Sequence, residues 1–492
     1  MTSLRQRAFV PALIFIGAVV SIVSSLGAPL IPRLADELHT TVGNAQWALT
    51  ATVVVAGVAS PLVGRLGDGR HRKTVIVVCQ SSVVIGGVLA ALATSLPLLI
   101  SGRALQGLGL ALMPLTMAAA REHLRPDHAG RVIATLSVVG AAGVGLGYPI
   151  TGLIADHGGV HAAYWAGTGV SALALAAAIW AIPSPESRDS HQRIDYTGAA
   201  IIGAGLVALL VSLDKAAAWG WGSARTLVLL VSGIALLTLW VAHELRTSEP
   251  LVDLRLVRHR AVLTANVSGL LLGVTMYLSM VTITQLVQLS TFGFGESVFV
   301  AGLTLVPLSV LSASVSRTLP ALTRRFGLRP IIPAGALCVV VASVFFGSTA
   351  SHLWQAFVTM AILGVGLGYT FAAMPGLIVS AVPPEETGSA MGFYQVSRFV
   401  GFAIGSGLAV TLLQAFGSDG TPTLHAYRMT AFVGAGVGVL TAVCAWLLPG
   451  SPTDALETDR ELTAYEREEA LLAAAGLEDR DDPGRARAAS HP

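Results

Sequence analysis

Charge is what this chain has least of: only 12% of its 492 residues are Asp, Glu, Lys or Arg, about half the share of an ordinary soluble domain. That scarcity excludes a chain made of water-soluble domains. Cysteine is equally sparse. Cys79, Cys338 and Cys444 are the three present, each inside an apolar run, and their spacing fits neither a metal site nor a redox pair nor a disulfide framework. They read as packing residues. No Gly-x-x-x-x-Gly-Lys-Ser/Thr phosphate loop occurs, and no long polar stretch exists to fold around one, which disfavours an ATP-driven pump. Net charge is +2, so no nucleic-acid partner is expected. No catalytic constellation, metal or organic cofactor is expected either, and the chain does not read as an enzyme.

What fills the chain instead is a succession of apolar runs, with a mean hydropathy of +0.71. Runs of about 18 residues or more cross ~30 Å of hydrocarbon as helices. Charged or turn-rich breaks delimit fourteen, at 8–32, 45–64, 74–93, 97–120, 130–155, 162–182, 196–213, 224–243, 261–288, 297–317, 331–348, 353–380, 388–415 and 428–448. The first is too long for a secretory leader core and lacks a small-residue cleavage site, so it is expected to stay as a span. The 53 glycines suit lipid, where small residues let helix backbones approach. Nineteen Lys and Arg lie in loops on the termini's side of this alternation, against Arg33, Lys215, Arg225 and Arg428 on the other. The positive-inside rule then predicts a multi-pass cell-membrane protein with both termini cytoplasmic. Beyond about Leu448 come eleven Asp and Glu against five Arg, the composition of a flexible tail.

The chain also repeats itself. "RPDHAGRV" before the fifth span and "PPEETGSA" before the thirteenth align at an offset of 258 residues, pairing Pro126 with Pro384, Asp127 with Glu385, Gly130 with Gly388, Gly143 with Gly401 and Gly147 with Gly405. A weaker echo relates "GRLGDGRHRK" to "TRRFGLRP". The expected organisation is a six-helix half at 1–182, a linker with an inserted helix pair at 183–260, a second six-helix half at 261–448 and an acidic tail at 449–492. Repeated halves are how many secondary transporters are built, with the substrate site between them near mid-membrane.

Three stretches carry a family resemblance. "GRLGDGRHRK", Gly64 to Lys73, resembles the loop signature of the major facilitator superfamily through Gly64, Leu66, Asp68, Arg72 and Lys73; Gly69 stands where a basic residue is usual and His71 where a glycine is. "RALQGLG", Arg103 to Gly109, is similar to the superfamily's fourth-helix signature. "GVGLGYPITG", Gly143 to Gly152, resembles the fifth-helix antiporter signature, with Tyr148 interrupting the usual Gly-Pro pair. Fourteen spans with an extra central pair resemble the drug:proton antiporter branch, and the likeness runs from about residue 10 to 448. It implies the all-α major facilitator fold and export of drug-like or antibiotic-like small molecules by alternating access. The proton gradient is then the energy source.

Each stretch has a physical reading of its own. In the stretch that begins at Gly64, an Asp68 pair with Arg72 or Lys73 is a latch if made in one conformation and broken in the other; the plainer alternative is a topology cluster with one neutralising acid. Gly140, Gly143, Gly147 and Thr151 make a small face for close helix approach, and Pro149 removes a backbone hydrogen bond and kinks the span. Rocking and ordinary packing both use such a face. In the ninth span Asn266, Gly273, Tyr277, Met280, Thr284 and Gln288 fall on one helical stripe, and Ser21, Ser24 and Ser25 form a patch in the first. Such surfaces contact amphipathic substrates or hydrogen-bond neighbouring helices. Tyr148, Tyr369, Met374 and Tyr394 are weaker candidates of the same kind.

One expected group is missing. The branch often carries a first-helix aspartate, but "VVSIVSSLGAPLIP" has none, and no Asp or Glu falls at the midplane of any span. A proton carrier is usually a buried carboxylate, so Glu296, Asp214, Glu122 and Asp68, all near span ends, are the candidates. Arg103 is the only charge between Lys73 and Arg121. It either snorkels outward or, with Gln106 continuing its face, points inward as a coupling or gating charge; Gln395 and Arg398 share a face in the thirteenth span. A lipid-embedded monomer carrying an amphipathic small molecule is the leading reading. The rivals are a same-fold transporter of a polar or anionic metabolite, to which Arg103 and Arg398 would supply charge, and a membrane sensor signalling through a tail in which no domain is recognisable.

Overall fold

The computed structural model describes residues 3–448 except 27–29, 46, 68–70, 184–194, 248–249, 253, 255–258, 329, 384–385 and 419–421. The acidic tail and Asp68 therefore lie outside the described residues. The architecture is all-α. The first set of helices is α1 (Ser3–Ser25), α2 (Ile31–Glu37), α3 (Val42–Ala45), α4 (Trp47–Gly67), α5 (Arg72–Ala91), α6 (Leu96–Leu110), α7 (Leu112–His123) and α8 (Pro126–Ala181). A central pair follows, α9 (Tyr196–Trp219) and α10 (Ala224–Glu244). The last set is α11 (Arg260–Gln288), α12 (Val298–Leu303), α13 (Val306–Ser316), α14 (Leu319–Phe326), α15 (Ile331–Thr349), α16 (Leu353–Ala381), α17 (Thr387–Ala415) and α18 (Leu424–Leu447).

Local chemistry marks the helix ends. The Asp195, Ser223, Ser297 and Thr423 side chains accept the backbone N–H three residues on, satisfying donors that an open helix start leaves unpaired. Gly159 breaks α8 into two arms at φ 79°, ψ 176°, a conformation that only glycine adopts without strain. Twelve helices among the described residues are long and apolar enough to cross a membrane. Of the two remaining sequence-predicted spans, 8–32 overlaps α1 as far as Ser25, and 130–155 falls on the first arm of α8. Large apolar side chains such as Val78, Leu173, Val231 and Val341 point outward and are more than half exposed, the arrangement expected of a bundle whose solvent is lipid.

Inside the first set α1 packs along α8, and inside the last set α11 packs along α17. Glycine makes both approaches possible. A Cβ at Gly143 would strike the Ser21 side chain, and Cβ atoms at Gly401 and Gly405 would strike the backbone carbonyls of Leu270 and Val274. Gly143 and Gly401, matched in the repeat, thus each admit the first helix of their own set.

The pair α9/α10 lies across the seam between the sets. Leu210 of α9 packs against Gly57 of α4, the Leu213 carbonyl faces Gly407 of α17, and the Trp221 indole N–H donates to the Thr411 hydroxyl. A small apolar core of Val54, Ile202, Leu206, Trp240, Val396 and Ala403 joins all three.

Candidate functional site

Between the two sets lies a cavity lined from α1, α4, α6, α7 and α8 on one side and from α11 and α17 on the other, with Leu210 of α9 closing the seam. Its water-accessible space is about 180 Å³. That is roughly a dozen waters at ~10–15 Å³ each, or ~360 Å³ of liquid, within the ~300–1,000 Å³ typical of small-molecule sites. Most of the wall is apolar or aromatic: Met113, Met117 and Leu136 face Met276, Tyr277, Phe399 and Phe402.

Two arginines reach this wall. Arg103 of α6 is fully buried, and its Nη1 donates to Gln106 Oε1 at 2.7 Å and to the Val23 carbonyl at 3.2 Å. The outward-snorkelling alternative is thereby set aside, because a lipid-facing guanidinium would not be at 0% exposure. Thr52 Oγ1 donates to the Arg103 carbonyl at 3.0 Å, and Gly107 lets α4 come close enough that a Cβ there would stand 2.5 Å from the Thr52 carbonyl oxygen. Small residues therefore hold α4 against the turn that carries the arginine. Arg398 of α17 is built similarly. Its Nη1 donates to Gln395 Oε1 at 2.8 Å, and its guanidinium lies 4.4 Å from the Phe371 ring centre and 5.5 Å from that of Phe402. Tyr148 of α8 and Tyr277 of α11 line the same cavity from the two sets.

The remaining sequence candidates distribute unevenly. Ser21 and Tyr277 line the cavity, Tyr277 stacked on Phe402 at 4.4 Å between ring centres. Asn266 is buried away from it, accepting from Ser397 Oγ at 2.9 Å. Met280 is buried in the core cluster, and Gln288 is exposed with its amide on the Thr284 carbonyl. Side chains of Ser24, Ser25 and Asp214 are outside the described set. Glu296 is half-buried in the loop before α12, and its backbone N–H donates to the Val287 carbonyl. Pro149 and Tyr148 meet α12 at Gly302, where a Cβ would stand 3.3 Å from the Pro149 nitrogen. Tyr394 is fully buried with its hydroxyl on the Met374 sulfur, and Tyr369 bonds Thr318.

At the end of the bundle where Arg65 and Arg72 lie, polar contacts join the sets. Arg65 of α4 pairs with Glu386, before α17, at 3.2 Å. Arg121 donates to the Thr387 hydroxyl and to the Val382 carbonyl, the latter at 3.0 Å. Here α4 and α17 touch backbone to backbone: a Cβ at Gly64 would run into the Gly388 carbonyl, and one at Gly392 would stand 2.6 Å from that of Ser60. Arg72 pairs with Glu122 and donates to the Gly67 carbonyl at 2.7 Å, so it ties α5 to α7 inside the first set. Lys73 is half-buried at the start of α5. The sequence reading missed Arg65, Arg121, Glu386 and Thr387 as a group, although Arg65 lies within "GRLGDGRHRK" and Glu386 and Thr387 within "PPEETGSA". It also placed Lys215 in a loop, whereas α9 continues to Trp219 and buries Lys215 with its ammonium 4.6 Å above the Trp47 ring.

The sequence model described as Major Facilitator Superfamily matches residues 13–350 and 319–472. Among curated relatives, the chain is 27% identical over 421 residues to the tetracenomycin C resistance and export protein of Streptomyces glaucescens, covering 82% of this chain and 75% of that one. It is 26% identical over 420 residues to the multidrug resistance protein B homolog of Mycobacterium tuberculosis, with the same 82% and 75% coverage. Among solved structures, the human organic anion transporter MFSD10 (TETRAN) superposes with a TM-score of 0.61 at 17% identity, covering 89% of this chain and 99% of that one.

Proposed function

The chain belongs to the major facilitator superfamily, which makes it a multi-pass membrane transporter of small molecules, and on that premise we propose that it exports drug-like or antibiotic-like amphipathic compounds across the cell membrane by alternating access. The observation that carries this reading is the aromatic and thioether cavity at the seam between the two helix sets. Relatives that are about a quarter identical and are named for resistance and export support the direction. In this proposal residues 1–182 and 261–448 are two six-helix halves and α9/α10 is an insert, giving fourteen spans. The monomer has both termini cytoplasmic, and the proton gradient supplies the energy. Asp68, Arg72 and Lys73 latch the cytoplasmic end together with Arg65–Glu386 and Arg121–Thr387, while Gly143, Gly147 and Pro149 let α8 rock.

Two buried guanidiniums in one cavity favour a second reading, carriage of a polar or anionic metabolite. Cells expressing the chain, challenged with a panel of antibiotics and amphipathic dyes, are the test. Raised tolerance with lowered intracellular dye supports export, and an unchanged panel rejects it.

A further inference from the structure

The central pair α9/α10 belongs to neither helix set, yet it reaches the cavity. Along α9, Ile202, Leu206, Leu210 and Leu213 are all buried, and their three- and four-residue spacing puts them on one helical face. That face packs with Val54 of α4 and with Val396 and Ala403 of α17 in one apolar core. Of its four residues only Leu210, among the described residues, also lines the cavity. Its position is pinned from both sides. A Cβ at Gly57 of α4 would stand 2.9 Å from Leu210 Cδ1, and a Cβ at Gly407 of α17 would stand 2.6 Å from the Leu213 carbonyl oxygen, within a turn of Leu210 on α9. Toward the Arg65 end, α4 and α17 close the seam themselves at Gly64–Gly388 and Ser60–Gly392. Beyond that contact, where Val54 and Ala403 both face the cavity, the wall includes Leu210. The methionines elsewhere in the wall, Met113, Met117 and Met276, adapt to a ligand by changing rotamer. A branched side chain held in close packing does not yield unless α9 moves, so Leu210 is a stiff part of an otherwise adaptable wall.

We propose that Leu210 is a specificity-determining residue, and that through this one side chain the central pair sets the upper size of the molecule the cavity accepts. The inference deepens the export reading and rests on this cavity being the transported molecule's site. It goes further in giving α9 a part in choosing the substrate, where a helix that merely fills the seam would have none. Shortening Leu210 opens the wall toward α9 and admits bulkier molecules; a ring in its place narrows the cavity and turns them away.

The experiment expresses the full chain in cells stripped of their own dye pumps and follows energised efflux of ethidium and of the bulkier rhodamine 6G by fluorescence. Size selection is read as the ratio of the two rates, which a loss of folded protein leaves unchanged. Leu210→Ala should raise the ratio of rhodamine 6G to ethidium roughly tenfold, and Leu210→Phe should lower it by a similar factor, the discrimination that a methylene or two supplies in an apolar pocket. Leu206→Ala is the control. Leu206 is 1% exposed in the same core, one turn away on α9, and does not line the cavity, so its truncation should lower both rates together and leave the ratio at the wild-type value. A ratio unmoved in both Leu210 variants, or moved as far by Leu206→Ala, overturns the proposal, and dye efflux by the wild type then leaves export standing. If the wild type moves neither dye, the export reading falls and the proposal falls with it.

Discussion

Gly64→Ala should bias the transporter toward the state in which the Arg65 end is open. Ala adds one methyl group where the α4 backbone lies against the Gly388 carbonyl, well inside van der Waals separation. The obstruction is backbone and not a flexible side-chain tip, so α4 and α17 must part for the methyl to fit. Overpacking of this kind costs about 1–3 kcal/mol, and it is felt only where the two helices touch. Greater helix propensity, up to ~1 kcal/mol for Gly→Ala, applies equally in both states and cancels. The equilibrium should therefore shift by roughly 5- to 150-fold. Spin labels at the exposed positions His71 and Pro383, in a background with Cys79, Cys338 and Cys444 replaced, report the separation by pulsed dipolar spectroscopy. A growing long-distance population is expected in Gly64→Ala. Gly130→Ala is the control, because a Cβ there meets nothing within 4 Å. An unchanged distance distribution in folded Gly64→Ala would refute the argument that this contact exists in only one of two states.

Other consequences can be measured independently. The Arg65–Glu386 pair, with side chains 7% and 25% exposed, should show a coupling of about 1 kcal/mol on the same conformational equilibrium in a double-mutant cycle of Arg65→Gln and Glu386→Gln; strictly additive effects would remove it from the gate. Asp68→Asn is expected to abolish transport while membrane insertion, followed by fractionation, stays intact, and full activity would dismiss the latch. Among Glu122, Asp214 and Glu296 replaced singly by their amides, Glu122→Gln should lower thermal stability and leave the pH profile of transport unchanged, since Arg72 already holds that carboxylate. A flattened profile in Glu122→Gln would make it the proton carrier instead.

Much of this was legible along the chain because lipid forces a simple grammar. A span must be apolar and about twenty residues long, so the helices announce themselves, and "RALQ" already contains the arginine and its partner one turn apart. What was not legible is what depends on docking. Arg65 and Glu386 are separated by 321 positions, and only the meeting of α4 with α17 puts them together. The ninth-span stripe failed differently. The 29 residues of α11 extend roughly 44 Å at ~1.5 Å per residue, so one face passes several neighbours. Asn266 meets Ser397, Tyr277 meets the cavity and Gln288 ends at the surface. Helical spacing fixes a direction around the axis, and depth along it decides what is met.

The central claim, that the seam cavity carries a solute in exchange for protons, is tested most directly by gradient-driven flux. Proteoliposomes holding the full chain are loaded with acidic buffer and diluted into alkaline medium containing a fluorescent amphipathic dye. The account predicts internal accumulation that follows the size of the gradient, collapses on adding a protonophore, and is lost in Arg398→Gln. Accumulation indifferent to both gradient and protonophore, or no accumulation by protein whose folding and insertion are verified, would contradict it.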